Sequence, residues 1–260
     1  MRNVFLGMSA LLLSSAMSMV YAADMPLKSP FMESTGAYSW TGLYVGVHAG
    51  GGWSKVSDTV VDPFPTSGNF PAGTALTPYT GNGFLGGVQG GYNWQIGSWV
   101  LGVEGDYSGT AINGSGTTRS LVSPLIFSTS NGFIDGIGLA TGRLGYAMDN
   151  WLFYAKGGGA WVQDHSNTVT TSAAVPPPSI TAMANAYTNR SGWIAGGGIE
   201  WAFSHYVSFK IEYDHIDLGT ENVTVSGKSG VIAGVNSVVA ATSTIDVVKG
   251  GVNVHFDWFR

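Results

Sequence analysis

Charged residues recur at every second position in several segments of this chain, a spacing that would gather acids and bases on one side of a β-strand. In residues 206–220, Lys210, Glu212 and Asp214 alternate with apolar or aromatic side chains. A period of two gives a strand one polar and one apolar face. Such a polar face could hold catalytic acids, line a polar pore or form salt bridges with neighbouring strands.

The same alternation in other segments adds further charges to the polar face. Because the carboxylates follow strand periodicity and have cations opposite them, we favour structural ion pairs over paired catalytic acids. Neither a G-x-S-x-G nor an H-E-x-x-H motif occurs. The sequence therefore predicts no enzyme, no metal site and no cofactor. The predicted inward-facing charges are Glu104, Asp106, Arg143, Lys156, Glu200, Lys210, Glu212, Asp214, Lys249 and Asp257.

Composition limits the classes of protein that the chain can represent. It has 260 residues, a net charge of −5, 39 glycines and only 10% charged residues. Abundant glycine and aromatic residues, few charges and no helical period favour an all-β chain. The chain contains no cysteine, which excludes a disulfide framework and a thiolate metal site. The acidic balance provides no basic surface for nucleic acid.

The N-terminus has the features of an export signal. Arg2 precedes an apolar stretch over residues 4–20, and small residues around Ala22 offer a cleavage site. We therefore predict a signal peptide over residues 1–22, and an uncleaved membrane anchor is the alternative. A periplasmic lead-in over residues 23–39 and a barrel domain over residues 40–260 would follow.

Connections of two alternating kinds join eight predicted strands. Three connections are tight turns, and four are polar segments of roughly 20 to 26 residues. Short turns on one side and long loops on the other are typical of outer-membrane barrels with periplasmic turns and extracellular loops. The sequence thus predicts an all-β, eight-stranded antiparallel up-and-down transmembrane β-barrel. The four predicted extracellular loops are residues 55–79, 111–130, 164–189 and 221–241.

Tryptophans lie at the ends of the predicted strands, where a barrel carries its two aromatic girdles. The interior of an eight-stranded barrel is barely wide enough for its own side chains. Ion pairs that fill the lumen are therefore favoured, and a solute-conducting pore is the alternative. The tryptophans assigned to strand ends are Trp40, Trp53, Trp94, Trp99, Trp151, Trp161, Trp193, Trp201 and Trp258.

Five segments resemble the small outer-membrane, porin-like β-barrel proteins of alphaproteobacteria, a family that includes surface antigens and haemin-binding proteins. The resemblance implies a location in the outer membrane and a role in envelope integrity or surface antigenicity. Some members of the family bind haem or allow limited solute passage, so the resemblance also implies these two activities as alternatives. One departure is that Arg260 follows Phe259 where the family usually ends on an aromatic residue. The similar segments are residues 40–54, 86–110, 142–162, 191–220 and 248–256.

We accordingly expect a structural barrel with a role in envelope integrity and surface interaction. The alternatives are a surface receptor for haemin or another small ligand, a narrow porin and, more distantly, a soluble β-sandwich. Expected partners are outer-membrane lipids, the barrel-assembly machinery during biogenesis, and haemin or host surface molecules bound through the loops. The residues suited to a loop ligand are His165, Phe64, Phe70, Tyr79 and Tyr187.

Overall fold

The chain folds into a closed antiparallel barrel. The computed structural model describes residues 38–65, 68–174 and 179–256. Each strand pairs with its neighbours in sequence, and the first also pairs with the last, which confirms the predicted eight-stranded up-and-down barrel and excludes an open sandwich. The strands are β1 (Gly42–Asp62), β2 (Tyr79–Ile96), β3 (Trp99–Arg119), β4 (Ile126–Met148), β5 (Trp151–Ser172), β6 (Ser179–Ala202), β7 (Val207–Gly230) and β8 (Asn236–Phe256).

The described residues contain no helix of the length and hydropathy required to cross a membrane. The predicted signal peptide, almost all of the lead-in, and the terminal residues Asp257 and Trp258 lie outside the described residues.

Burial along β7 is the inverse of that in a soluble protein. Ile211 is 69% exposed, whereas its neighbours Lys210 and Glu212 are 2% and 1% exposed. The other strands show the same arrangement near the tight turns, with apolar side chains outside and polar side chains inside. An apolar belt around a polar interior is the pattern of a barrel surrounded by lipid.

The barrel wall is taller than the sequence predicts, because most of the polar segments assigned to loops continue as strands. On that side, residues 63–78 form the longest connection, and residues 120–125, 173–178 and 231–235 form the other three. Polar side chains pair across these extensions: the hydroxyls of Thr220 and Thr242 are 2.6 Å apart. The polar composition of these segments predicts loops. They form strands nevertheless, because a strand with polar surroundings on both faces does not need alternating hydrophobic residues.

A β-bulge in β4 changes which side chains enter the barrel. The pairing of β4 with β5 shifts between Ile134 and Gly136. As a result Ile134 and Ile137, which are three positions apart, are both buried. The bulge therefore places two branched apolar side chains in the interior.

Two sets of tryptophans bound the apolar belt and mark the membrane-spanning part of the wall. Those beside the tight turns and those nearer the long connections are all exposed on the outer surface, at the positions of two girdles. The first set is Trp94, Trp99 and Trp151, and the second set is Trp53, Trp161 and Trp193.

Trp40 does not belong to a girdle, and the prediction for this residue is wrong. Its side chain is fully buried and packs with Val100 and Leu152 inside the turn-side end of the barrel. Its backbone N–H donates to the side-chain oxygen of Gln95 at 2.8 Å. The chain enters the barrel mouth before β1 begins, so an apolar ring closes this end.

Candidate functional site

The interior is built in three layers above Trp40. Nearest to Trp40 is a set of buried charges, which we call the charge layer. Next comes a set of branched apolar side chains, the apolar layer, and beyond it an outer cavity lies among the strand extensions. Each layer is formed by inward-pointing residues of many strands, so that the alternation of each strand decides what it contributes.

The centre of the charge layer is a ring of two carboxylates and two ammonium groups. Lys156 Nζ lies 3.3 Å from Glu104 Oε1 and 2.7 Å from Glu212 Oε1. Lys210 Nζ lies 3.1 Å from Glu104 Oε2 and 3.2 Å from Glu212 Oε2. All four side chains are inaccessible to solvent. Each charge in the ring therefore contacts two charges of opposite sign.

A third lysine extends the ring toward the outer end. Lys249 Nζ lies 2.7 Å from Asp106, 3.1 Å from Asp214 and 3.2 Å from Glu212. Lys156 also lies 3.4 Å from Asp214. These contacts connect β3, β5, β7 and β8 across the lumen.

Arg143 completes the layer on the side of Trp40. Its guanidinium carbon lies 4.9 Å from the ring centroids of both Tyr44 and Tyr154, between the two aromatic faces. It also lies 3.3 Å from Glu200 and 3.6 Å from Glu104. Cation–π contacts of this kind gain strength when the groups are removed from water. The arginine is held by two rings and two carboxylates.

The structure places nine of the ten predicted inward charges in this layer, and Asp257 lies outside the described residues. Neutral groups at other inward strand positions bind these charges. Tyr44 donates to Glu104 at 2.8 Å, and Asn253 donates to Glu200 at 2.7 Å. Both occupy inward positions of their strands, which is the sequence signal that could have identified them.

The charge layer is not suited to hold a metal ion or to act on a substrate. Oxygen atoms of Glu104, Asp106 and Glu212 lie within 4.8 Å of one another, which is close enough for shared ligation. Each of these carboxylates already contacts a lysine ammonium. A cation would have to displace buried lysines, and a substrate would have to reach side chains that are closed to solvent.

The apolar layer separates the charge layer from the outer cavity. Its members are buried aliphatic side chains from seven strands that pack in one cluster. Ile112 and Ile134 belong to this cluster and also form part of the cavity wall. The members are Leu85, Ile112, Ile134, Ile137, Leu139, Ala160, Val162, Ile194, Ile216, Leu218, Ile245 and Val247.

The outer cavity has a volume of about 160 Å³ and lies beyond the girdle formed by Trp53 and its counterparts. Its wall carries Ser and Thr hydroxyls from β4 and β5 and Ala and Val side chains from β6, β7 and β8, and β6 and β8 add further hydroxyls such as those of Thr188 and Ser243. Arg190 and Asp164 form an ion pair on this wall, with 2.7 Å between Nη2 and Oδ2. The wall of the cavity is therefore mixed, with charged, hydroxyl and aliphatic side chains.

Two further ionisable groups line the cavity outside the membrane-spanning part. Burial raises the pKa of Asp58 to about 6, and the nearby Arg190 partly opposes this shift. Burial likewise raises the pKa of Tyr79 to about 12. Around neutral pH, Asp58 is thus mainly a carboxylate and Tyr79 is a neutral phenol.

The structure brings four of the five residues that the sequence suggests for a loop ligand to one place. Phe64, Phe70, Tyr79 and His165 line the outer cavity. Tyr187 is 75% exposed, and it lies on β6 rather than in a loop. Because alternate β6 residues point into the barrel, Tyr187 faces away from the cavity.

His165, also expected in a loop, lies on β5. Its Nδ1 atom is 2.7 Å from a carboxylate oxygen of Asp135. Its ring stacks on Phe133 at 4.8 Å and on Tyr187 at 5.7 Å between centroids. These contacts occupy both faces of the imidazole and one of its nitrogens.

Comparisons with known proteins and solved structures found the following similarities. The chain is 30% identical over 261 residues to the 31 kDa outer-membrane immunogenic protein of Brucella melitensis, covering 98% of this chain and 100% of the relative. It is 25% identical to the 25 kDa outer-membrane immunogenic protein of Brucella abortus, covering 78% of this chain and 76% of that protein. Among solved structures, the outer membrane protein OprG from Pseudomonas aeruginosa superimposes with a TM-score of 0.45 at 10% identity, covering 85% and 99% of the two chains.

The family assignment rests on most of the chain. A family model described as "Outer membrane protein beta-barrel domain" matches residues 8–256. That range includes every strand of the barrel. The chain therefore belongs to the outer membrane protein β-barrel family and is a protein of the outer membrane.

Proposed function

We propose that this protein is a structural barrel that contributes to envelope integrity and presents its polar rim at the cell surface. The observation that carries the proposal is the closed interior of the described barrel. Trp40, the charge layer and the apolar layer follow one another along the axis. A barrel with a filled interior is suited to a structural role in the outer membrane.

The narrow porin is the weaker alternative, because a conducting path would have to cross the apolar layer. Its aliphatic side chains offer no hydrogen bonds that could replace the hydration of a solute, and desolvation is costly. The charges beneath it hold one another at distances of 2.7 to 3.3 Å in the central ring. Conduction would require both layers to rearrange.

A haemin receptor is also weakly supported. The outer cavity, at about 160 Å³, is below the range of about 300–1,000 Å³ typical of pockets for drug-sized ligands. His165 lines the cavity, but its ring is stacked between Phe133 and Tyr187 and its Nδ1 atom contacts Asp135. Spectral titration with haemin tests this alternative, and a Soret shift at micromolar haemin would support it.

Surface interaction is the second part of the proposal. The strand extensions beyond Trp53 raise a polar rim above the membrane belt, and polar rims of barrels carry most interactions with the outside. The Brucella relatives are called immunogenic outer-membrane proteins. We propose outer-membrane lipids and the barrel-assembly machinery as partners in the membrane, and host surface molecules as partners of the rim.

Deletion and complementation in the native bacterium test the role in the envelope. We expect the deletion strain to take up more of a hydrophobic dye and to become sensitive to detergent, with both defects restored by the intact chain. Lys156→Met should complement poorly, and Lys228→Met, which changes an exposed lysine, should complement fully. An unaltered deletion strain would contradict the envelope role.

Planar-bilayer recordings of the refolded protein test the closed interior separately. We expect a quiet baseline without discrete steps. Reproducible unitary steps that disappear when the protein is denatured would favour the porin instead.

A further inference from the structure

The outer cavity contains buried polar atoms whose hydrogen-bonding capacity the described residues leave unused. They are Nε and Nη1 of Arg190, Oδ1 of Asp58 and Oγ of Ser243. Arg190 is 5% exposed and Ser243 is 1% exposed, and all three residues line the cavity. Buried polar groups are nearly always hydrogen-bonded, because an unmade bond costs about 1–3 kcal/mol. Their concentration around one cavity indicates a site for a bound molecule.

The unused groups comprise both a cation and an anion. Arg190 has donors to spare, although its Nη2 atom is paired with Asp164. Asp58 provides an acceptor and is close enough to Arg190 for the guanidinium to favour its charged form. With Asp58 and Asp164 ionised, the three groups sum to a charge of −1. A simple anion would therefore be repelled, and a simple cation would leave the spare donors of Arg190 unused. A molecule with both charges would satisfy Arg190 and Asp58 together.

The walls and the volume limit the size of that molecule. A volume of about 160 Å³ leaves room for a small molecule and not for a drug-sized one. Part of the wall formed by β6, β7 and β8 is apolar and includes Ala182, Val225 and Val239. A short aliphatic group fits this part of the wall, and the hydroxyls suit a polar head.

We propose that the outer cavity binds a free α-amino acid of about the size of alanine to valine. The ammonium group would contact Asp58, the carboxylate would contact Arg190, and the aliphatic side chain would lie on the wall formed by β6, β7 and β8. Binding at this place requires no passage through the apolar layer. Amino-acid binding at this cavity is therefore independent of the structural role of the barrel, and different experiments test the two.

Calorimetric titration of the refolded full chain in detergent tests the proposal at about pH 7.5. L-Valine and L-alanine are the probes, and we expect saturable binding with a Kd below about 1 mM. Propionate, which lacks the ammonium group, and glycerol, which is neutral, should bind at least about tenfold more weakly. Asp58→Asn should weaken L-valine binding by about tenfold or more, because it removes the charge that faces the ammonium group.

The controls separate loss of the site from loss of the fold. Arg119→Gln removes an exposed arginine of the same rim and should leave binding unchanged. Arg190→Lys should weaken binding while the barrel keeps the altered gel migration of an unboiled sample. Absence of heat with either amino acid up to about 10 mM would mean that water alone satisfies these groups. Equal binding of glycerol and L-valine, or unchanged binding to Asp58→Asn, would also overturn the proposal.

Discussion

Lys156 and Glu212 face each other inside the barrel with 2.7 Å between Nζ and Oε1, and neither side chain is exposed. The same ammonium group also contacts Glu104 at 3.3 Å. It also lies within 4 Å of Asp106 and Asp214, so loss of this one cation would leave four buried carboxylates with fewer partners. Breaking a buried ion pair by removal of one member costs about 3–5 kcal/mol.

We expect Lys156→Met to lower the free energy of unfolding by about 3–5 kcal/mol for this reason. The measurement is the urea midpoint of the refolded barrel in detergent. Lys228→Met is the matched control, because Lys228 is exposed and should change stability by no more than about 0.5 kcal/mol. Equal midpoints for the two variants would show that the charge layer does not support the fold.

The outward face of β7 provides a test of the lipid belt. Ile211→Arg should impair membrane assembly, because an arginine on the lipid face near the bilayer midplane destabilises the inserted barrel by about 2–4 kcal/mol. Thr224→Arg lies farther along the same strand, beyond the belt, where the exposed side chain meets water. Heat-modifiable gel migration after reconstitution into vesicles measures assembly. If both variants assembled equally well, the position of the belt would be wrong.

Asp58 should make stability depend on pH in a defined direction. Its pKa is raised from 3.8 to about 6 in the folded chain, so folding disfavours the carboxylate form. The contribution of Asp58 to the free energy of unfolding is therefore most favourable below about pH 4, and it is lost as the pH rises through 6. Asp58→Asn should therefore gain about 1–2 kcal/mol over the wild type at pH 8 and almost nothing at pH 3.5. Urea unfolding of both chains at the two pH values measures this difference, and an equal gain at both would contradict the assignment.

Gly102 should resist enlargement because it lies against the charge layer. A Cβ atom there would meet the side-chain oxygen of Asn93 and come within 2.9 Å of Arg143 Cγ. Gly102→Val should destabilise the barrel by about 1–3 kcal/mol through overpacking. Gly105→Val is the control, since its nearest neighbour would be a backbone oxygen at 3.9 Å. Similar unfolding midpoints for the two variants would show that the interior beside Gly102 can adapt.

Alternation in the sequence was sufficient to predict the faces of the strands. Lys210, Glu212 and Ile211 lie on the sides that a period of two assigns to them. The strand extensions were missed because their side chains are polar on both faces, so hydropathy carries no period there. Trp40 was misplaced because nothing in its local sequence indicates that the chain turns into the barrel before β1.

The outer cavity could not be predicted, because it depends on register between distant strands. Arg190 lies on β6 and Asp58 on β1, and the residues around each resemble any polar loop. Arg190 and Asp58 meet in the outer cavity only because the barrel closes and its strands extend beyond the membrane belt. The charge layer was easier to predict, since each strand places its charges inward without reference to the others.

The pairing of Glu212 with Lys249 across β7 and β8 also helps to fix how the barrel closes. Sliding one strand past the other by two residues would keep every apolar side chain toward lipid, so the belt cannot distinguish the correct alignment from this slip. The slip would carry Lys249 away from its partner and leave buried charges unneutralised. The charge layer thus selects the strand register. It stabilises one alignment among several that would all keep the apolar side chains toward lipid.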